Sequence, residues 1–217
     1  MFINAENLGI VFNAYKASFQ GAFSGAQTFY KSVALTVPSS TGTENYGWLR
    51  QMPTLREWIG PRHVHSLAAH GYSIVNKDFE TTISVPRNAI EDDQYGLFAP
   101  FFADMGRTAA EHPDVLISQL IRDGFTAPCY DGQPFFDGDH AVLDADGSKY
   151  SVTNTDEGDA APWFLMATGR ALKPIIFQDR KRPEFVPLDN PRDSNVFTNK
   201  EFVYGVDCRR NVGYGFW

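Results

Sequence analysis

Residues 88–124 read NAIEDDQYGLFAPFFADMGRTAAEHPDVLISQLIRDG and carry the strongest helical pattern of the chain. One face collects the apolar side chains at helical spacing, namely Leu97, Phe98, Phe101, Phe102, Met105 and Ala109. Such a stripe is more typical of a packed core than of a cofactor site. Pro100 and Pro113 interrupt the pattern, so we expect either one long kinked helix or a short lead-in and two helices, ending at Gly124.

The region before this helix predicts elements that cannot form a core alone. Asn4 is a good N-cap, and the residues after it place apolar side chains at helical spacing: Leu8, Val11, Phe12, Tyr15 and Phe19. Val33, Leu35 and Val37 then alternate as in a half-buried strand that ends at Pro38. We therefore interpret residues 1–45 as an arm that packs on something else.

Residues 46–86 are rich in strand signals and turn breakers, which predicts a long two-stranded excursion. Tyr72 and Ile74 alternate, as do the side chains of the next run: Phe79, Thr81, Ile83 and Val85. An isolated two-stranded ribbon is marginal in water, so a long one is expected to lie on another surface.

The last part of the chain predicts strand, short helix, strand, loop and strand, over residues 162–185 and 202–217. The final apolar, strand-like run stops at Trp217. An uncovered edge there would be adhesive, so we expect a partner to cover it or the chain to be a fragment.

Composition restricts the classes of partner. The chain has 217 residues, 14% of them aromatic, with 19 basic and 26 acidic residues and a net charge of −7. This charge argues against general affinity for nucleic acids or anionic membranes. Residues 87–160 hold 15 of the acidic and 4 of the basic residues. The two cysteines lack CxxC spacing, no apolar run is long enough to cross a bilayer, and the N-terminus lacks a secretory pattern, so we expect synthesis in a reducing cytoplasm.

Two groups of residues could bind a metal, and neither has a specific motif. His63, His65 and His70 lie on the predicted ribbon, but HExxH and paired Cys/His spacings are missing from the sequence. Exposed or interface histidines are the favoured interpretation. The DADG at residues 144–147 fails the calcium-loop spacing.

Asp131, Asp137, Asp139 and His140 could form an acid/base cluster, since His with a carboxylate is a common catalytic pair. Asp-Gly pairs are also common in tight turns, and the turn interpretation is favoured. The sequence contains no GxSxG, Walker A or GxGxxG motif, and the basic run at 180–182 is weak evidence for nucleic acid. We predict no catalytic, cofactor-binding or metal-binding residues and no cofactor.

Five ordered segments carry a resemblance to a known family. They are YGWLRQMPTLREWIG (46–60), AAHGYSIVNKDFETTISVPRNAIEDDQYG (68–96), CYDGQPFFDGDH (129–140), RALKPIIFQDRKRPEF (170–185) and YGVDCRRNVGYGFW (204–217). Together they resemble the T protein family, the major head subunits of Mu-like phages and prophages.

This resemblance implies an α+β, HK97-like capsid fold. It assigns residues 1–45 to an N-terminal arm, 46–86 to the E-loop, 87–150 to the P-domain with its spine helix, and 151–217 to part of the A-domain, with family members continuing beyond that point.

The function implied is a head subunit, made in the host cytoplasm, that self-assembles through hexamers and pentamers into a virion shell around DNA. The expected partners are scaffold, portal and head-completion proteins, without a membrane. An encapsulin-like shell and, from a different class, a metal-dependent hydrolase are the alternatives.

Overall fold

The computed structural model describes residues 1–47, 49, 71–144, 148–156 and 158–217. The chain divides into two compact units, each built from three stretches of sequence. The first unit contains Met1–Thr28, Lys77–Asp114 and Asp179–Arg210, and the second contains Phe29–Asn76, Val115–Gln178 and Asn211–Trp217.

Five α-helices and eight strands are found among the described residues. The helices are α1 (Ala5–Gly25), α2 (Tyr30–Val33), α3 (Arg87–Glu91), α4 (Ala99–Asp123) and α5 (Ser194–Asn199), with a 3-10 turn at Tyr95–Phe98. The strands are β1 (Ala34–Pro38), β2 (Thr43–Asn45), β3 (Ser73–Val75), β4 (Lys77–Pro86), β5 (His140–Leu143), β6 (Lys149–Val152), β7 (Ile175–Leu188) and β8 (Glu201–Tyr214). A four-stranded sheet has the order β1-β7-β8-β4, and β2-β3 and β5-β6 form two-stranded sheets.

The first unit has a core of aromatic rings contributed by α1, α4, β7 and β8. Tyr15 stacks on Phe102 with ring centroids 4.1 Å apart, and Tyr204 meets Phe102 edge-on at 5.6 Å. Aromatic pairs of this geometry contribute about 0.5–1.5 kcal/mol beyond their buried area. The predicted face of the first helix is confirmed, because Leu8, Val11, Tyr15 and Phe19 are all buried.

Strand alternation determines which residues of the sheet enter this core. Antiparallel pairing aligns Phe79 with Cys208 and Val85 with Phe202. On β8 the residues at even positions from 202 to 210 are buried, and those between them are only partly covered. This alternation of period two puts one face of the strand against α4.

The second unit contains three smaller clusters of buried side chains, which are Ala34, Ile117, Ile175 and Phe177; Tyr46, Leu49, Ile74 and Ile176; and Cys129, Phe135 and Tyr214. Gln178 is fully buried and is satisfied by its neighbours, since it accepts from Tyr46 Oη (2.8 Å) and donates to Ile74 O (3.3 Å). Paired in this way, a buried amide avoids the cost of an unmet hydrogen bond.

The structure selects between the two arrangements expected for residues 88–124 and corrects one other expectation. A single α4 of 25 residues continues through Pro113, so the alternative with a second helix after that proline does not occur. Residues 158–174 contain neither a helix nor a strand, so the strand and short helix predicted there are wrong. Trp163 and Leu165 of this stretch are exposed and are not part of a sheet.

Other local predictions are confirmed. Asn4 caps α1 by accepting the amide of Asn7 at 2.8 Å, and α4 ends immediately before Gly124. The predicted ribbon is different: its residues form β3 and β4, but β3 pairs with β2 of the predicted arm and β4 pairs with β8 of the four-stranded sheet. Residues 48 and 50–70 lie outside the described residues. The four-region domain assignment stays a prediction. Neither long helix of the described chain has the hydropathy that a bilayer span requires.

Candidate functional site

The turn-rich segment from residue 129 to 140 gathers donors around one carboxylate. Asp131 Oδ1 accepts hydrogen bonds from the Cys129 thiol and the Gln133 amide, both at 3.0 Å. Its Oδ2 lies 2.8 Å from His140 Nδ1 and accepts from Trp217 Nε1 at 3.0 Å. An ionised carboxylate only accepts, so His140 Nδ1 carries the proton in this contact. Asp131 therefore joins four residues of the second unit.

The electrostatics of this cluster favour a structural role. Burial alone would raise the pKa of Asp131, but hydrogen bonds from Cys129, His140 and Gln133 outweigh it and lower the pKa. Burial, followed by the contact with Asp131, raises the pKa of Cys129 to about 12. A thiol with such a pKa stays protonated near neutral pH, and the thiolate is the form that attacks substrates or binds metals.

Three residues of this cluster have the chemistry of metal ligands. Cys129, Asp131 and His140 each offer one ligand atom, and these atoms lie within 4.8 Å of one another. Their types suit zinc. However, the thiol and the ring nitrogen already donate to the carboxylate, and the His140 ring is fully buried and stacks on Trp217 at 3.9 Å. Protein hydrogen bonds thus occupy the thiol, the carboxylate and His140 Nδ1 and tie the segment to Trp217. The buried His140 Nε2 has no hydrogen-bond partner among the described residues.

The predicted acid/base group is only partly assembled. Asp131 and His140 meet, as the sequence suggested. Asp137 instead accepts the Asp139 amide at 3.2 Å, and Asp139 accepts from Ser151 Oγ at 2.5 Å, both contacts made within turns or a neighbouring strand. Cys129 and Trp217 join the cluster without having been predicted as members of it. The spacing of Cys129 and Asp131 was a local clue, whereas Trp217 had no sequence signal.

Other candidates from the sequence carry no chemistry in the described residues. His63, His65 and His70 lie outside them, as do positions 145–147 of the DADG motif. In the basic run at 180–182, Lys181 Nζ lies 2.5 Å from Asp207 Oδ2 and Arg182 Nε lies 3.5 Å from Asp179 Oδ2. These contacts fit ion pairs between protein groups better than a nucleic-acid site.

The second unit exposes large apolar side chains in an irregular segment. Trp163 is 95% exposed and Leu165 is fully exposed, while Phe164 between them packs on Phe136 at 5.2 Å and on Phe125 at 6.1 Å. Neighbouring exposed apolar residues of this size typically mark a surface that contacts another protein.

The first unit has a comparable feature at the start of its long helix. Leu97 is 69% and Phe101 61% exposed, and their spacing of four residues matches one helical turn. Phe2 and Phe197 are exposed as well. Each unit therefore presents apolar side chains to its surroundings, as expected of a subunit that is covered by neighbours.

Comparison with known proteins identifies the family of the chain. The family model described as the Mu-like prophage major head subunit gpT matches residues 8–217. The chain belongs to this family. The head subunit is 44% identical to the major capsid protein of Escherichia phage Mu over 223 residues, which cover the whole chain and 73% of that relative. It is 42% identical to the Mu-like prophage FluMu major head subunit of Haemophilus influenzae, across 95% of the chain and 70% of the relative.

Solved phage heads share the fold of this head subunit. A chain of the bacteriophage JBD30 procapsid matches with a TM-score of 0.85 and 43% identity, over 99% of this chain and 74% of that one. The JBD30 capsid matches with a TM-score of 0.67 and 33% identity, over 99% of this chain and 71% of that one. The α+β, HK97-like capsid fold and the role of major capsid protein of the virion are thereby confirmed. The comparisons give no support to an encapsulin-like shell or a metal-dependent hydrolase.

Proposed function

We propose that copies of this head subunit form hexamers and pentamers that close into an icosahedral shell around phage DNA. The observation that carries the proposal is the agreement with the JBD30 procapsid subunit over 99% of the chain. The exposed apolar residues of both units supply surfaces for neighbouring copies. The net charge of −7 suits a wall that encloses DNA without reading its sequence, because it gives the phosphates little attraction.

The proposal includes a non-catalytic role with scaffold, portal and head-completion proteins as further partners. The support is the family membership together with the Asp131 cluster, whose thiol is protonated and whose carboxylate is occupied by donors. It also includes the division into arm (1–45), E-loop (46–86), P-domain (87–150) and partial A-domain (151–217). The long α4 within the third region is consistent with a spine helix.

Expression of the full-length head subunit tests the proposal. Negative-stain microscopy and sedimentation are expected to show rings or closed shells, and a map of the shells would locate the four regions. Monomers alone, across a range of salt concentrations and pH, would contradict self-assembly. Co-expression with the neighbouring phage genes would show whether closure needs a scaffold.

A further inference from the structure

The first unit contains a pocket between α4 and the sheet. Its volume is about 170 Å³, and its apolar walls come from Phe79, Ala109, Pro183 and Val206. Its polar lining residues include Cys208, Arg210 and His112. An apolar pocket with a few convergent polar groups is the usual form of a binding site.

Arg210 is the unusual feature of this pocket. The residue is only 4% exposed, its Nε donates to Cys208 Sγ at 3.0 Å, and its Nη2 donates to Ala109 O at 3.1 Å. Both acceptors are uncharged, and no ion pair found among the described residues includes Arg210. A guanidinium is always charged, and a buried charge without a counter-charge is strongly unfavourable.

His112 is a second polar residue of the pocket that lacks a negatively charged partner among the described residues. Its ring packs edge-on against Phe79 at 4.3 Å, and its buried Nδ1 has no hydrogen-bond partner among the described residues. Burial, and then the charge of Arg210, lower its pKa to about 4. The neutral ring of His112 therefore brings a buried, unpartnered nitrogen to the pocket, and in the Nδ1–H tautomer this nitrogen could donate a hydrogen bond to a carboxylate oxygen.

The two carboxylates of the pocket lining are engaged elsewhere. Asp207 Oδ2 binds Lys181 Nζ at 2.5 Å, and Glu80 Oε2 accepts from Thr82 Oγ1 at 2.8 Å. Glu80 is paired with Asp207 in the ladder, next to the pair of Phe79 with Cys208. Because side chains alternate between the faces of a strand, these carboxylates belong to the face opposite the Cys208 side chain.

We propose that this pocket receives an aspartate or glutamate side chain from a second copy of the chain in the assembled head, with its carboxylate paired to Arg210. The inference rests on the proposed shell, in which every subunit has neighbouring copies. Charge complementarity identifies the occupant, because residues 87–160 hold 15 acidic and only 4 basic residues and thus offer acidic side chains for a buried arginine.

Alkylation of Cys208 by N-ethylmaleimide measures whether the pocket is filled. The reaction is followed by mass spectrometry on unassembled full-length subunits and on intact shells. An occupied pocket excludes the reagent, so alkylation in shells should be slower by about tenfold or more. Cys129, buried in the second unit and bonded to Asp131, is the internal control and should react slowly in both forms. Equal Cys208 rates in intact shells and free subunits would overturn the inference while leaving shell assembly intact.

Photo-crosslinking identifies the occupant. A benzophenone amino acid replaces Thr108, an exposed residue at the pocket, in shells made from isotopically light and heavy copies. The expected product joins a light to a heavy copy through a peptide that contains Asp or Glu. The matched control replaces Arg107, which is exposed but does not line the pocket, and should give that product in lower yield.

Products confined to one copy, or products with another virion protein or with DNA, would refute the second copy as occupant. Changing the crosslinked acidic residue to its amide should restore Cys208 alkylation in shells, and unchanged protection would refute the carboxylate–arginine pair.

Discussion

Pro113 lies inside α4 and has no N–H to donate to the carbonyl of Ala109, the residue four positions before it. Arg210, on β8, donates its Nη2 to that same carbonyl at 3.1 Å. A side chain from the sheet thus replaces the missing hydrogen bond of the helix. The replacement of this hydrogen bond gives a physical reason why α4 continues through Pro113, one of the two arrangements that the sequence left open.

The replacement predicts an energetic coupling between the two residues. Arg210→Met removes an unpaired buried charge, but it also leaves the buried Ala109 carbonyl without a donor, and that loss by itself costs about 1–3 kcal/mol of unfolding free energy. In a Pro113→Ala background the new N–H satisfies Ala109, so the same change should cost about 1 kcal/mol less. Urea unfolding of the four proteins measures this double-mutant cycle. Additive effects of the two substitutions would contradict the coupling.

Asp131 is the second residue on which much depends, since four donors converge on its carboxylate. Asp131→Asn keeps the size but removes acceptor capacity, and it should cost about 1–3 kcal/mol of unfolding free energy. Trp217 fluorescence should change with it, because the indole loses its partner. Asp137→Asn is the control, since the contact of that carboxylate within the described part of the chain is a local one, with the Asp139 amide of its own turn.

The lowered pKa of Asp131 also predicts that the stability of the fold depends on pH. The charged form stabilises the fold above the ordinary pKa of aspartate, about 3.9, and this contribution is lost as the pH falls toward the lower folded-state pKa. The wild-type chain should therefore lose stability over this acid range more steeply than Asp131→Asn. Chemical unfolding at a series of pH values tests this, and identical slopes would exclude it.

At the scale of elements, the approach of α1 to α4 depends on Gly106. A Cβ at this position would lie 2.2 Å from the carbonyl oxygen of Phe19, which belongs to the backbone of α1 and cannot rotate away. The absent side chain lets the two helices pack closely, and the aromatic core between Tyr15 and Phe102 depends on that distance.

Two glycine substitutions should consequently have opposite effects on stability. Gly106→Ala should destabilise the first unit by about 1–3 kcal/mol, because α1 must move. Gly21→Ala is the matched control, since nothing lies within 4 Å of its Cβ position, and alanine should stabilise α1 by up to about 1 kcal/mol. Thermal unfolding followed by circular dichroism distinguishes them. A change of the unfolding temperature in the same direction for both variants would show that the close approach of α1 to α4 at Gly106 is unimportant.

At the scale of the whole molecule, substitution of exposed apolar residues distinguishes an effect on folding from an effect on assembly. Trp163 and Leu165 make few contacts within the chain. Replacing both with Ser should change the free energy of unfolding by no more than about 0.5 kcal/mol, as usual for surface positions. The fraction of the full-length subunit in shells, measured by sedimentation, should nevertheless fall. Phe164→Ser is the contrasting control, because this ring packs on Phe136 and its loss should weaken the fold itself.

The amino-acid sequence alone determined the elements that depend on neighbouring residues. The long helix α4, the Asn4 cap of α1 and the strand β4 follow from local patterns, and each element is present in the structure. Of the predicted apolar face of α4, Phe102 is buried, whereas Leu97 and Phe101 are exposed. The resemblance of five segments also identified the family and the capsid fold, because similar sequences adopt similar structures. The turn chemistry around Asp131 was likewise visible in its Asp-Gly pairs.

Only the tertiary structure decided the contacts between distant positions. Arg210 and Ala109 are 101 residues apart, and Trp217 and Asp131 are 86 apart, so no local period could pair them. Each unit also combines three separate stretches of chain. Whether α4 survives its proline, and whether apolar residues 163 and 165 form a strand, depends on which partners the fold supplies. A buried polar group or an apolar side chain can find its partner anywhere in the folded chain, whereas a sequence pattern describes only residues that are close together in the sequence.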